Sequence, residues 1–253
     1  MSRSIVKPLA LLGALLLAPM ALAAPITITT SGSGVFGTNG SALVTINSVA
    51  SPDIGPLNVL AGGFALKGDL DQDSSTPLQN FVAFCLDITT YLSLPSKYTL
   101  TTTPFASDVL TVTQTGNIQK LFDMAFGSLL LTDKAQSGGF QLALWEIIYE
   151  KSTKPLSLTP AKRTNFTATS DVANAGAISF GNSLLANLST ANSVPKIFEL
   201  SFLESDYKRK VDGQHDSQHL VTATPLPPVP VPAAGFLLLA ALGGLGLMRR
   251  RRG

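Results

Sequence analysis

Apolar and polar positions alternate along the first half of the chain and then change period. The stretches "ITITTSGSG" (26–34), "SALVTINSVA" (41–50), "LNVLAGGFALKG" (57–68), "NFVAFCLDITTYL" (80–92) and "YTLTTT" (98–103) alternate and are separated by Gly, Pro, Asn and Asp, so they predict strands. After Gly116 the period becomes helical. Asn117 is a candidate N-cap for "NIQKLFDMAFGSLLL", whose Ile118, Leu121, Phe122, Ala125 and Leu129 share one face. Ser137-Gly138-Gly139 leads into a second helix, "FQLALWEIIYE". A third is predicted in "SDVANAGAISFGNSLLANL", with Ala173, Ala177, Phe180, Leu184 and Leu188 on a stripe. "SVPKIFELSFLES" predicts a returning strand, and residues 206–228 a polar, Pro-rich linker. No internal repeat of fixed period is found. The expected class is α+β: an antiparallel, sheet-rich body, sandwich- or barrel-like, with helices inserted before the last strand.

Both ends of the chain differ from this body. Arg3 and Lys7 precede the apolar run "PLALLGALLLAPMALAA", and Ala21 and Ala23 supply the small-x-small pattern of a signal-peptidase site, so residues 1–23 are expected to be a signal peptide. An uncleaved anchor is the alternative. At the other end, a Pro-rich stretch gives way at Ala233 to sixteen uncharged residues ending at Met248, followed by Arg249, Arg250, Arg251 and Arg252. As a helix this run is about 24 Å long, short for a hydrocarbon layer of about 30 Å, and the arginines hold its end in the cytoplasm. The bland reading is a tail anchor.

The order of these parts resembles the PEP-CTERM sorting signals of Gram-negative bacteria, and more closely their VPLPA-CTERM variant. Val229, Pro230, Val231, Pro232 and Ala233 match that motif except at Val231, where the family has leucine. The resemblance implies Sec export, transient residence in the inner membrane through a C-terminal hydrophobic helix, and release to the cell surface or matrix by an exosortase. Signal peptidase and exosortase are then the processing partners.

Charge follows the same division. The chain carries 18 basic and 16 acidic residues, but Arg3, Lys7 and the four C-terminal arginines belong to the ends, leaving 12 against 16 in the body. Such a body offers no basic patch for nucleic acid. The 24–205 interval is long enough for one domain with its own core.

Candidate chemistry centres on Cys85, the single cysteine. On a strand, Phe81, Ala83, Cys85 and Asp87 share one face and Val82, Phe84, Leu86 and Ile88 the other, so both faces are mostly apolar and Cys85 is expected inside. In the second helix Gln141 falls on the face of Leu144, Trp145 and Ile148, where its amide needs a partner. As read from the residues alone, Cys85 is either a reactive thiol or a small core filler, and Gln141 either its partner or an ordinary helix-start amide.

Phe84-Cys85-Leu86-Asp87 on a strand and Phe140-Gln141-Leu142-Ala143-Leu144-Trp145 on a helix resemble the Cys and Gln signatures of the thioester domains of bacterial surface proteins. Phe140 stands where that family commonly has a small hydroxyl residue, and Phe84 where it has a hydroxyl-bearing aromatic. The resemblance implies a Cys85 sulfur joined to the Gln141 carbonyl in an internal thioester, with Asp87 and Trp145 shaping the site. The expected target is an amine-bearing surface or exopolysaccharide. The alternative is a non-covalent matrix protein.

Other signals are weaker. Asp69, Asp71 and Asp73 have calcium-loop alternation but lack the glycine and the acid such a loop needs at its sixth and twelfth places, which favours a solvated turn. His215 and His219 are spaced as helical zinc ligands but lie in the polar "DGQHDSQH" without a third ligand. With both histidines expected in a linker, a Ser/His/Asp arrangement has no base inside the domain, and no turnover enzyme, metal or cofactor is expected. Glu146 and Glu150 are expected on a solvated helix face.

Overall fold

The computed structural model describes residues 25–32, 34–50, 53–102, 110–151, 155–159, 165–191, 193–205 and 217–227. The signal-peptide positions Ala21 and Ala23, the motif Val229 to Ala233 and Arg249 to Arg252 lie outside them, as does His215. Among the described residues no helix is long and apolar enough to cross a membrane.

The elements run β1 (Ile26–Thr30), β2 (Ala42–Ala50), β3 (Asp53–Ile54), β4 (Leu57–Ala61), β5 (Phe64–Gly68), β6 (Gln79–Cys85), β7 (Ser96–Thr101), α1 (Val112–Ala125), α2 (Lys134–Tyr149), β8 (Phe166–Thr169), α3 (Ala175–Thr190), β9 (Phe198–Ser205) and β10 (Leu220–Pro225). Six strands close an antiparallel barrel in the order β1-β5-β6-β10-β9-β7. A smaller antiparallel sheet has β2 at its centre, with β3 and β4 along one side and β8 along the other. The class is therefore the expected α+β, with helices inserted into an antiparallel body.

The stretch 57–68, which reads as one alternating segment, is two strands in two sheets. Gly62 and Gly63 make the crossing, and a Cβ on Gly62 would sit 2.2 Å from the Gly40 carbonyl oxygen, so only glycine passes there. The 206–228 linker expectation is corrected: Leu220–Pro225 pairs with both β6 and β9 and closes the barrel, and Ser217, Gln218 and His219 before it are buried. A strand of six residues beside a polar run and a Pro-rich run carries little alternation to announce it.

α1 and α2 begin earlier than their sequence signals. Thr111, not Asn117, caps α1, in a capping box with Gln114. Asp133 caps α2 by accepting from the Ala135 and Gln136 N–H groups, so Ser137-Gly138-Gly139 lies inside the helix. Ala173 falls in a short 3-10 turn before α3 and is exposed, while Ala177, Leu184 and Leu188 are buried as expected.

Those glycines let α2 approach two surfaces at once. Gly138 faces the small sheet, where a Cβ would lie 2.8 Å from Ala42 Cβ. Gly139 faces α3, where a Cβ would lie 2.7 Å from the Ala177 carbonyl oxygen and 2.9 Å from the Gly181 nitrogen. Backbone cannot yield as a side-chain tip can. Gly139→Ala is expected to lower stability by about 2–3 kcal/mol in urea unfolding, through overpacking. Gly116, in α1 with open space around it, gives the opposite sign: Gly116→Ala is expected to stabilise by about 0.5–1 kcal/mol.

Phe84, Phe122, Phe126 and Phe140 form one aromatic cluster, with Phe84–Phe140 centroids 4.5 Å apart and Phe122–Phe140 rings edge-to-face at 5.1 Å. This cluster fixes α1 and α2 against the outer face of β6. Asp123 ties α1 to β9 by accepting from the Ile197 and Phe198 N–H groups.

Candidate functional site

Cys85 is the last residue of β6, at a place where the sheet changes partner. On one side β10 continues, with Leu220 opposite Cys85 and the Leu86 N–H donating to the His219 carbonyl at 2.9 Å. On the other side β5 has ended: its ladder with β6 runs from Gly68↔Gln79 to Phe64↔Ala83. The Cys85 N–H and C=O therefore need partners that no strand supplies.

Gln141 supplies both. Its Oε1 accepts from the Cys85 N–H at 2.8 Å, and its Nε2 donates to the Cys85 carbonyl at 2.8 Å. One side-chain amide thus stands in for a strand, and both residues are buried. Ser137, one turn earlier on α2, accepts from the Gly63 N–H at 2.9 Å. Two turns after Gln141, the Tyr149 hydroxyl donates to the Leu86 carbonyl and accepts from the Ile88 N–H. Gln141, Trp145 and Tyr149 recur every four residues, so one stripe of α2 runs along residues 85–88.

The thiol donates to the Asp87 carbonyl. Burial pushes its pKa well above the ordinary thiol value, and the Asp87 charge adds to the rise. The bond to the Asp87 backbone and the Trp145 side chain oppose it. The sulfur is therefore a neutral thiol in a dry setting. The buried Trp145 indole N–H has no hydrogen-bond partner among the described residues, though Trp145 is near enough to the thiol to oppose the rise of its pKa.

Asp87 holds the other side. Its Oδ2 accepts from the His219 N–H at 2.7 Å, joining the chain after Cys85 to the entry of β10. His219 Nδ1 accepts from the Ser205 N–H at 3.0 Å, which leaves its ring proton on Nε2. The Tyr98 hydroxyl lies 2.7 Å from Ser217 Oγ and 3.1 Å from the Gln218 carbonyl, and burial raises its pKa.

The four residues singled out from sequence, Cys85, Gln141, Asp87 and Trp145, thus come together. Four others were not expected here. His219 was placed in a linker, but it is buried beside Asp87; the short alternation of "HLVTATP" was its signal. Tyr149 is in register with Gln141, a spacing the sequence does carry. Glu146 and Glu150 are not on a solvated face: both are buried, because α2 is enclosed from Ser137 to Ile147 by the barrel, the small sheet and α3.

Asp69, Asp71 and Asp73 lie in the turn between β5 and β6, where their oxygens accept from the turn's own donors, including the Asp73 and Ser75 N–H groups and Gln79 Nε2. Among the described residues no group of three His, Cys, Asp or Glu is arranged to hold a metal.

No family model and no curated protein matches the chain. Solved structures similar to the chain at low identity include two of bacterial surface proteins. One is the N-terminal thioester domain of a surface protein from Clostridium perfringens, in a cysteine-to-alanine form, with 15% identity and a TM-score of 0.38 over 64% of this chain and 89% of that one. The other is the N-terminal domain of the Streptococcus pyogenes pilus tip adhesin Cpa, with 16% identity and a TM-score of 0.39 over 79% of this chain and 98% of that one.

Proposed function

We propose that this is an exported surface or matrix protein in which Cys85 and Gln141 form an internal thioester that captures an amine once, without turnover. The observation that carries this reading is the double hydrogen bond between the Gln141 amide and the main chain of Cys85 in a dry interior. Attack needs a sulfur beside an activated carbonyl. The amide is already hydrogen-bonded to the main chain of the residue that bears the sulfur, which keeps the two reacting groups in one neighbourhood.

The chemistry balances with the groups present. The sulfur adds to the Gln141 carboxamide carbon, and the oxyanion develops on Oε1, where the Cys85 N–H already donates. The C–N bond then breaks. The thiol proton leaves on the departing nitrogen, so the products are a thioester and ammonia. A primary amine later attacks the same carbon, the C–S bond breaks, and the amine's proton passes to sulfur. Asp87 and Trp145 shape the site, the first through His219 and the second against the sulfur.

Export by the Sec route, passage through the inner membrane of a Gram-negative bacterium and removal of the tail by an exosortase complete the proposal; the two terminal sequences support them. The target is an amine on a neighbouring surface or exopolysaccharide.

A second reading has its own support. A glutamine whose amide is paired at both ends is also what a structural plug at a sheet edge requires, and a protonated thiol bonded to a carbonyl is an inert one. On that reading the protein packs into a matrix without covalent capture. Thiol titration after unfolding separates them. With the thioester, the processed protein yields no titratable thiol until it is treated with methylamine, which releases one. A full equivalent of thiol before treatment rejects capture and leaves the second reading.

A further inference from the structure

A cleft of about 380 Å³ runs between β4 and the segment 88–92, and Leu57, Asn58, Val59 and Leu60 all line it. Consecutive residues point to opposite faces of a strand, so a cleft that meets all four lies along the strand's edge. That edge is open. β2 pairs with β4 on one side, from Ala42↔Ala61 to Ile46↔Leu57, and on the other side no described residue bonds to the β4 main chain. β8, at the opposite edge of the same sheet, is covered: its Ala168 N–H donates to the Leu158 carbonyl at 3.1 Å. β4 also lacks the charged and proline residues that blunt an exposed edge.

The alternating N–H and C=O groups of an open edge are matched in spacing by another extended chain. On the inner side, Phe36, Phe64, Ile88 and Trp145 stand beside Leu57 and Val59, an apolar floor for every second side chain of such a strand. On the outer side Leu60 and its register partner Leu43 are half exposed, and Tyr91 across the cleft is 83% exposed. No charged side chain lines the cleft. The chain's own ends do not suit it. Residues 1–23 are read as a signal peptide removed on export, and from the end of β10 onward Pro225, Pro227, Pro228, Pro230 and Pro232 remove donors a strand needs. A second copy's β4 would arrive with its own sheet and its own 88–92 wall, too broad for a groove walled on both sides.

We propose that β4 binds an extended, uncharged segment of another protein, which adds to the small sheet as a strand and seats alternate apolar side chains against Phe36, Phe64 and Trp145. The assignment needs no thioester and holds on either reading of Cys85. Such pairing draws affinity from main-chain hydrogen bonds and selectivity from the pockets for alternate side chains.

The probe is a capped peptide of alternating valine and threonine with the length of β4, 5 residues. It has no amine, so Cys85 and Gln141 cannot capture it. In the processed protein, hydrogen exchange at alternate amides between Leu57 and Leu60, followed by NMR, is expected to slow saturably by about 10-fold or more as peptide is added. Two altered peptides separate the contributions. Methylating every amide nitrogen keeps the side chains and removes the donors; serine in place of valine keeps the donors and removes the apolar groups. Each is expected to bind at least about 10-fold more weakly, as is the parent peptide to Leu60→Lys, which sets a charge on the rim. Exchange that does not change on adding the parent peptide overturns the proposal, and so does equal binding in any of the three comparisons. Protection of the same amides without peptide, rising with protein concentration, would give the edge to a second copy and overturn it as well.

Discussion

Relative to the open form, with the thiol and the amide both intact, Gln141→Ala is expected to cost about 3–5 kcal/mol in urea unfolding, several times the effect of Cys85→Ala. The substitution removes the acceptor of the Cys85 N–H and the donor to its C=O together, each now at 2.8 Å. Both main-chain groups stay buried, because β5 ends at Phe64 and no other strand reaches them. An orphaned buried polar group costs about 1–3 kcal/mol, and truncation of the stem adds a void. Cys85→Ala leaves the N–H and C=O in place and loses only a sulfur bonded to a carbonyl. Its expected cost is about 1 kcal/mol. A Gln141→Ala protein as stable as Cys85→Ala would show that the amide does not carry this end of the sheet.

The pH dependence of stability is expected to be dominated by Glu146. This carboxyl is 0% exposed, and its pKa is raised from 4.5 to about 8, first by burial and also by the charge of Glu150. The Ser157 N–H donates to Oε1 at 2.7 Å and opposes the rise, while Oε2 has no hydrogen-bond partner among the described residues. In the unfolded chain Glu146 gives up its proton near 4.5; in the folded protein it keeps it until about 8. Between those values the folded state holds the extra proton, so stability falls as pH rises from about 4.5 to 8 and levels off above. The loss is of order 3–5 kcal/mol, at about 1.4 kcal/mol per pH unit. Glu146→Gln keeps an acceptor for Ser157 and has nothing to ionise. It is expected to match the wild type near pH 4.5 and to exceed it at pH 8.5 by most of that amount, as read from urea midpoints. Curves that stay parallel across the range would contradict this.

Much of the body is legible in alternation. β1, β2 and β9 fall within the stretches read as strands and β6 and β7 overlap them, and the division of β6 into a face with Cys85 and a face with Phe84 predicts what is seen: Phe84 packs against helix aromatics while Cys85 is buried on the other face. Spacing also placed Gln141 and Trp145 on one face of α2. Reasoning from faces failed where a helix has none to spare. Glu146 and Glu150 read as solvated because amphipathic periodicity assumes one wet side, yet α2 is walled on every side for three turns. The signal was compositional: no charged residue occurs between Lys134 and Glu146, and Ser137-Gly138-Gly139 permits close approach on two sides. β8 is four residues long, too short for periodicity to separate it from loop, and β10 is hidden by the polar run before it and the Pro-rich run after it. His219 was missed with β10, since its role depends on the long-range pairing that brings Leu220 opposite Cys85.

The union of Cys85 with Gln141 is tested most directly by the intact mass of the processed protein, measured without reduction or added amine. The account predicts a mass about 17 Da below that of the unmodified chain, one ammonia, and a return to the full calculated mass in Cys85→Ala. A wild-type protein at its full calculated mass would contradict it.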